Sequence, residues 1–367
     1  MKLSIERETL LQPLQTVIGV VERRQTLPIL ANVLLAVKDG HLAVTATDME
    51  IELIANQFIQ SSTESSVQLT VSGRKLLDIF RTFPEDAAID LQQDKERLIV
   101  RSGQSRFILA TLPVASFPKF EAMPPALTLS LTQKELSALL QACHFSMAQQ
   151  DVRYYLNGML FDIRSDEMRT AATDGHRFAM SHKAVHVMGE KAQVILPRKA
   201  VLELLRLLKQ DDSKLDVEIG ENYLRVKNES FTFTSRLIDG RFPEYERILP
   251  KEAGNAISLN KNALKNALLR VAILSNEKCR VVHLQLRAEF LHILANNPEQ
   301  EEAEEVLSVD YAGKELDIAF NVSYLLDVLN AVSNETIRLT FIDANNRMLI
   351  EEVGNDSHMF LIMPLQI

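Results

Sequence analysis

The chain repeats itself three times. The strand-then-helix segments VSGRKLLDIF, ILPRKAVLELL and AFNVSYLLDVL place Lys75, Lys199 and Ser323 at even intervals of 124 residues. The same register recurs elsewhere. Thr45-Ala46-Thr47-Asp48 is answered by Ala171-Ala172-Thr173-Asp174 and more loosely by Leu294-Ala295-Asn296-Asn297, and Phe117-Pro118 is echoed by Phe242-Pro243. Each repeat opens with apolar residues at helical spacing, over 8–21, 133–145 and 260–274, which predicts three amphipathic helices at corresponding positions. The period is far longer than the roughly 20–50 residues of stacked solenoid repeats and is about one domain long. Three linked domains are expected, 1–125, 126–252 and 253–367, with boundaries where Pro and Gly interrupt the pattern at 121–125 and 249–255.

Between the helices the chain reads as runs of short strands with alternating apolar positions, among them 41–47, 98–101, 106–112, 223–227 and 231–236. Strands in runs, mixed with helices, predict an α+β class. The 367 residues, 46% hydrophobic and 24% charged, suit a folded globular chain. The first eight residues carry acids where a signal peptide needs an apolar core, and no stretch approaches 18 apolar residues, so a cytoplasmic location is expected. Cys143 and Cys279 fall in separate repeats and read as buried, reduced thiols in helical surroundings; neither a disulfide framework nor a zinc site is expected. A net charge of −9 argues against a protein that coats itself in nucleic acid, but leaves room for a basic stripe on an acidic body.

The strongest enzymatic temptation is Thr173-Asp174-Gly175-His176-Arg177, with a carboxylate, an imidazole and a guanidinium within one turn. A strand-to-strand turn explains it more simply, because Asp-Gly is a common turn pair and adjacent residues rarely aim at one substrate atom. No phosphate loop, dinucleotide fingerprint, nucleophile elbow or metal-spaced histidines occur, so no catalytic residue, cofactor or metal is expected. Basic residues are more suggestive. Arg74 with Arg81, Lys199 with Arg206, and Lys261 with Lys265 are spaced to share a helical face in each repeat. Arg23-Arg24 and the segment 149–155 add groups suited to phosphate contact or base stacking, although Tyr154-Tyr155 also reads as the plain start of a strand. The acidic run 299–305 reads as a solvated loop, or as a charged edge for a basic partner such as Lys75, Arg97, Arg101 and Arg106. The apolar end 358–367 reads equally as a docking surface for a peptide or as a tail folded into its own core.

Six separated motifs now fall in order: Leu27-Pro28-Ile29-Leu30, the segment 150–158, Ala172-Thr173-Asp174-Gly175-His176-Arg177, Asp239-Gly240-Arg241-Phe242-Pro243, Leu274-Ser275-Asn276-Glu277-Lys278 and the segment 296–305. Together they closely resemble the bacterial DNA polymerase sliding-clamp family, the beta subunits of the replicative holoenzyme, from Met1 to Met363-Pro364. The resemblance implies three tandem clamp domains and a head-to-tail homodimer forming a six-domain ring around duplex DNA. It also implies tethering of replicative and repair polymerases, loading by an ATP-dependent clamp loader, no catalysis, and a cytoplasmic, nucleoid-associated location. Elementary geometry agrees with the dimer. A repeat of this length has a diameter of about 35 Å, so three in a ring leave a hole of about 5 Å and six leave about 35 Å. A B-DNA duplex needs roughly 20 Å.

The resemblance assigns DNA contact to Arg24, Gln150, Arg153, Tyr154 and Tyr155, with Arg198 and Lys199; Lys75 is read with them. It places Phe107, Ile273 and Leu274 at the subunit interface, with Glu301, Glu302, Glu304 and Glu305 opposite basic residues such as Arg97 and Arg106. It maps a pocket for short partner motifs of polymerases and the clamp loader onto Leu156, Thr173, Gly175, His176, Arg177, Phe178, Pro243, Arg247, Ile248, Asn321, Tyr324, Asn346, Ile362, Met363, Pro364 and Leu365. The chain departs from the family pattern at Phe178, commonly Leu, and at its end Met363-Pro364-Leu365-Gln366-Ile367.

Overall fold

The computed structural model describes residues 2–21, 27–59, 67–121, 123–249, 254–341 and 347–365. Arg24 and Asn346 lie outside the described residues. The chain forms two compact units: Met1–Lys134 with Val187–Glu190 and Leu202–Leu237, and Glu135–His186 with Lys191–Val201 and Ile238–Ile367. Six α-helices occur among the described residues: α1 (Arg7–Val17), α2 (Gly73–Thr82), α3 (Gln133–Cys143), α4 (Arg198–Leu207), α5 (Lys261–Val271) and α6 (Val322–Ala331). None is long and apolar enough to cross a membrane.

In the first unit, thirteen antiparallel strands make one sheet, and α1 and α2 pack on it through Leu10, Leu11, Leu14, Leu76, Leu77 and Phe80. Its continuity depends on strand Ile51–Phe58 of the first repeat, which pairs with Phe231–Arg236 of the second, placing Leu53 opposite Phe233. The second unit uses the same device. Strand Arg177–Ala184 of the second repeat pairs with Asn355–Ile362 of the third, placing Phe178 opposite Leu361 in an eight-stranded sheet. A separate four-stranded sheet ends at the edge strand Glu302–Ser308. Edge-to-edge hydrogen bonding between repeats explains why compact units and sequence repeats do not coincide: the strands of the second repeat are divided between the two units.

Four sequence expectations change. Tyr154–Leu156 is a 3-10 turn rather than the start of a strand, which begins at Gly158. Much of the acidic run is not a loop, because Glu302–Ser308 is a strand with alternating exposure. Cys279 is exposed in a turn, whereas Cys143 is buried at the end of α3, where desolvation pushes its thiol up to about 12. The helical patterns at 133–145 and 260–274 each finish in a 3-10 turn, His144–Ser146 and Ala272–Leu274, which satisfies the last carbonyls in a tighter winding.

Candidate partner-binding and nucleic-acid surfaces

The turn between strands Glu167–Thr173 and Arg177–Ala184 is built by its own side chains. Asp174 Oδ1 accepts from the amides of His176 and Arg177 at 2.9 and 3.0 Å, and Thr173 Oγ1 accepts from Gly175 at 3.0 Å. The other Asp174 oxygen accepts from Arg177 Nε at 3.0 Å. The carboxylate is therefore committed to holding backbone and guanidinium, not poised over His176 as a catalytic partner. Arg177 continues to Asp327 of α6 and lies 4.5 Å from the Tyr324 ring centroid and 5.4 Å from that of Phe145. His176 stacks on Tyr324 with centroids 6.3 Å apart, and burial pushes the Tyr324 phenol up from its ordinary range. The Arg177–Asp327 link escaped the sequence reading. Its signal was present, since Tyr324 and Asp327 are three apart on one face of the helix, Asp327 being its single charged residue.

The chain end closes over this cluster. Phe360, Leu361 and Ile362 are buried in the sheet, after which the Met363 amide donates to the His176 carbonyl and the Leu365 amide to the Ala319 carbonyl, both at 2.8 Å. Of the two readings of the tail, its first half is core, while Met363 is 37% exposed beside His176 and Pro364 and Leu365 are half-buried. Asn321 caps α6 by accepting from the Ser323 amide. Leu156, Phe178 and Ile362 are buried, and Phe178 stacks on Tyr245, whose hydroxyl donates to the buried Asp162 at 2.7 Å. Pro243 and Arg247 are exposed and line a cleft of about 300 Å³ with Arg164, Arg241 and Phe242. Ile248 packs against the Phe178 cluster. The exposed Met363, the half-buried Pro364 and Leu365 and the His176–Tyr324 stack suit an extended peptide with an apolar anchor.

The basic helix positions divide into two kinds. Arg74 donates to the Val21 carbonyl at 2.7 Å just beyond α1, and Arg198, at the same place in the second repeat, donates to the His144 and Met147 carbonyls at 3.4 and 3.2 Å just beyond α3. Arg206 reaches the Gln15 and Thr16 carbonyls of α1, and Lys261 those of Val332 and Ser333 after α6. These cations sit where helix C-terminal carbonyls concentrate negative potential, and desolvation lowers the pKa of half-buried Arg198. Lys75, Arg81 and Lys199 are exposed. In the loop before Gly158, Gln150, Val152, Arg153 and Tyr154 are exposed, Val152 at 95%, while Tyr155 is half-buried with its ring edge-on to Tyr154 at 5.8 Å. Arg153 holds Asp151 through two hydrogen bonds, and this guanidinium keeps the Asp151 carboxyl down at about 2.

Of the residues read as interfacial, Ile273 is 78% exposed and Leu274 half-buried in the 3-10 turn after α5. Phe107 packs edge-on against Phe83 at 5.8 Å, and Arg97 and Arg106 are exposed on neighbouring strands. Glu302 and Glu304 are exposed, Glu304 lying 3.2 Å from His292, and Glu301 accepts from Asn297. Glu305 differs. It is clasped by two nitrogens of Arg270 in the same chain, which holds its carboxyl below the usual range.

Family models describing the N-terminal, central and C-terminal domains of the DNA polymerase III beta subunit match residues 1–121, 130–244 and 246–366. The chain is 48% identical to the beta sliding clamp of Pseudomonas putida and 47% identical to that of Escherichia coli K12, with both chains covered in full. Among solved structures, it matches the DNA polymerase III subunit beta of Pseudomonas aeruginosa with a TM-score of 0.97 at 46% identity, and the pol III beta of Caulobacter crescentus with 0.92 at 32%, each over the whole of both chains. A Pseudomonas aeruginosa clamp bound to griselimycin matches with 0.96.

Proposed function

The chain belongs to the DNA polymerase III beta subunit family, the sliding clamps that serve DNA polymerase as non-catalytic processivity factors, and from that premise we propose how its own residues perform the role. Two copies close head to tail into a six-domain ring around duplex DNA. The observation that carries this reading is a junction made twice within the chain and left open once. Strand Ile51–Phe58 pairs with Phe231–Arg236, and Arg177–Ala184, its counterpart one repeat later, pairs with Asn355–Ile362. The next counterpart, Glu302–Ser308, is a sheet edge, and the strand that would complete the set, Ser105–Leu112, is covered by its second neighbour only at Thr111 and Leu112. An open edge invites another strand. The acids of one edge and Arg106, with Arg97 and Arg101 beside it, favour pairing of these two edges between copies, while Ile273, Leu274 and Phe107 supply apolar cover. Two identical junctions of this kind close a dimer.

Once closed, the ring needs no tight grip on DNA. Lys75, Arg81 and Lys199 supply diffuse, salt-sensitive attraction to phosphates, and Gln150, Arg153, Tyr154 and Tyr155 supply polar and aromatic contact without reading bases. Enclosure then prevents escape while each contact stays brief enough to allow sliding. Polymerases, an ATP-dependent clamp loader and repair proteins dock short motifs between the 173–177 turn, Tyr324 and the 363–365 tail, with an apolar anchor over the Phe178 floor. The three repeats correspond to domains near 1–125, 126–252 and 253–367, and the ring works in the cytoplasm at the nucleoid. To test this, the protein is loaded onto nicked circular DNA with a clamp loader and ATP, the circle is cut, and retention is followed by gel filtration. Retention on circles and loss from linear DNA is expected; equal retention on both would mean ordinary binding and overturn the enclosure.

A further inference from the structure

Two turns of the same design occur in the first and second repeats, and only one carries an additional part. In the first, Thr47 Oγ1 accepts from Met49 at 3.0 Å and Asp48 Oδ1 accepts from Glu50 and Ile51 at 2.9 and 2.7 Å. Thr173 and Asp174 repeat those bonds on Gly175, His176 and Arg177. The residue after the aspartate is left-handed in both, Met49 at φ 78° and Gly175 at φ 90°. Backbone conformation alone therefore does not demand glycine here. A Cβ on Gly175 would also stand 3.1 and 3.3 Å from the two terminal nitrogens of Arg153, so the guanidinium lies directly over this residue and would have to shift to admit a side chain.

Arg153 is set against the turn by a short relay. Asp151 holds its Nε at 3.0 Å and Nη2 at 2.8 Å, and Nη2 also reaches the Asp174 carbonyl at 3.3 Å. Asp151 is fixed in turn by Asn157, which accepts from its amide at 2.9 Å and donates to its carbonyl at 2.8 Å. One guanidinium thus fastens the exposed loop to the outer side of the turn that carries His176. A DNA phosphate offers the same two-pronged acceptor geometry and the same single charge as Asp151, the duplex adds the field of its neighbouring phosphates, and the Arg153 side chain is 47% exposed, so it can be reached.

We infer that Arg153 is a positioning residue linking DNA to partner binding: a phosphate that draws its guanidinium from the turn clears the approach to Gly175 and His176, so a ring on DNA binds partner peptide more tightly than a ring in solution. This rests on the reading of the 173–177 turn as part of the peptide site. Exposed ion pairs contribute little, so the gain is about threefold to fivefold. Linkage requires the peptide to strengthen the loop's hold on DNA by the same factor.

The experiment measures, by fluorescence anisotropy, the Kd of a labelled short peptide with Leu and Phe anchors for the full ring, free and trapped on nicked circular plasmid. The wild type is expected to tighten about threefold to fivefold on the plasmid. Arg153→Ala, which removes the latch, is expected to bind equally in both states, at the tighter affinity. Arg153→Lys, which lacks the fork, is not expected to restore the ratio. Equal wild-type affinity in the two states, or a wild-type ratio surviving in Arg153→Ala, overturns the inference while leaving the peptide site standing. Absence of binding in either state removes the peptide site itself, and the inference with it.

Discussion

Strands Phe231–Arg236 and Ser105–Leu112 hold the same place in successive repeats, and they differ in what covers them. The first has neighbours on both sides and buries Phe231, Phe233, Thr234 and Ser235. The second has one full neighbour and alternates exposed and half-buried residues, with Arg106 at its start and Ile108 46% exposed. Strands Arg177–Ala184 and Glu302–Ser308 repeat the contrast with acids in place of arginine. The difference teaches how one repeated unit serves both as chain interior and as chain end. The interior junctions are covered on both sides, whereas the two open edges carry opposite charges, which in the proposed ring would keep each edge soluble and direct it to the other.

The largest effect should come from breaking the open junction. Ile273→Asp with Leu274→Asp is expected to give folded monomers by sedimentation that fail to stay on circular DNA, whereas an intact dimer would refute the interface. Phe178→Ala probes the interior junction instead. It removes a ring stacked on Tyr245 in a buried cluster and should cost about 3–5 kcal/mol in chemical denaturation together with peptide affinity; a loss under about 1 kcal/mol would mean that Phe178 is not part of the floor. Glu302→Lys with Glu304→Lys should weaken the dimer less than the Ile273 and Leu274 pair, most visibly at low salt, and unchanged association across salt concentrations would remove charge from the account. The smallest effect concerns pH. Arg270 holds the folded-state pKa of Glu305 below its ordinary 4.5, so the contribution of this pair is complete above that value and fades as pH falls through the lower folded value. Replacing Glu305 with Gln should flatten the acid limb of a thermal-stability profile slightly between those values, and an unchanged limb would show that the pair contributes nothing.

The repeat made much of this fold legible. Strands His41–Thr47, Tyr223–Lys227 and Phe231–Arg236 have the bounds that their apolar spacing predicts. The duties of Arg74, Arg206 and Lys261 were not legible. Helical spacing put each on a shared basic face with a partner, yet their carbonyl acceptors lie 53, at least 190 and at least 71 residues away in sequence. Local patterns carry no record of such distant acceptors. The 173–177 turn was read correctly as a turn, but the Arg153 guanidinium over Gly175 was not legible, because only tertiary structure brings it there. Leu156, Phe178 and Ile362 were named as pocket residues through resemblance alone, and all three are buried, so in the proposed site they would supply shape from below.

The most direct test of the account is amide hydrogen exchange, read by mass spectrometry, in Ser105–Leu112 and Glu302–Ser308 as the protein is diluted. Edge pairing between copies predicts that both segments are protected at high concentration and lose protection together on dilution, while Phe231–Arg236 and Asn355–Ile362 stay protected throughout. Fast exchange of either open edge at every concentration, or loss of protection in one without the other, would contradict it.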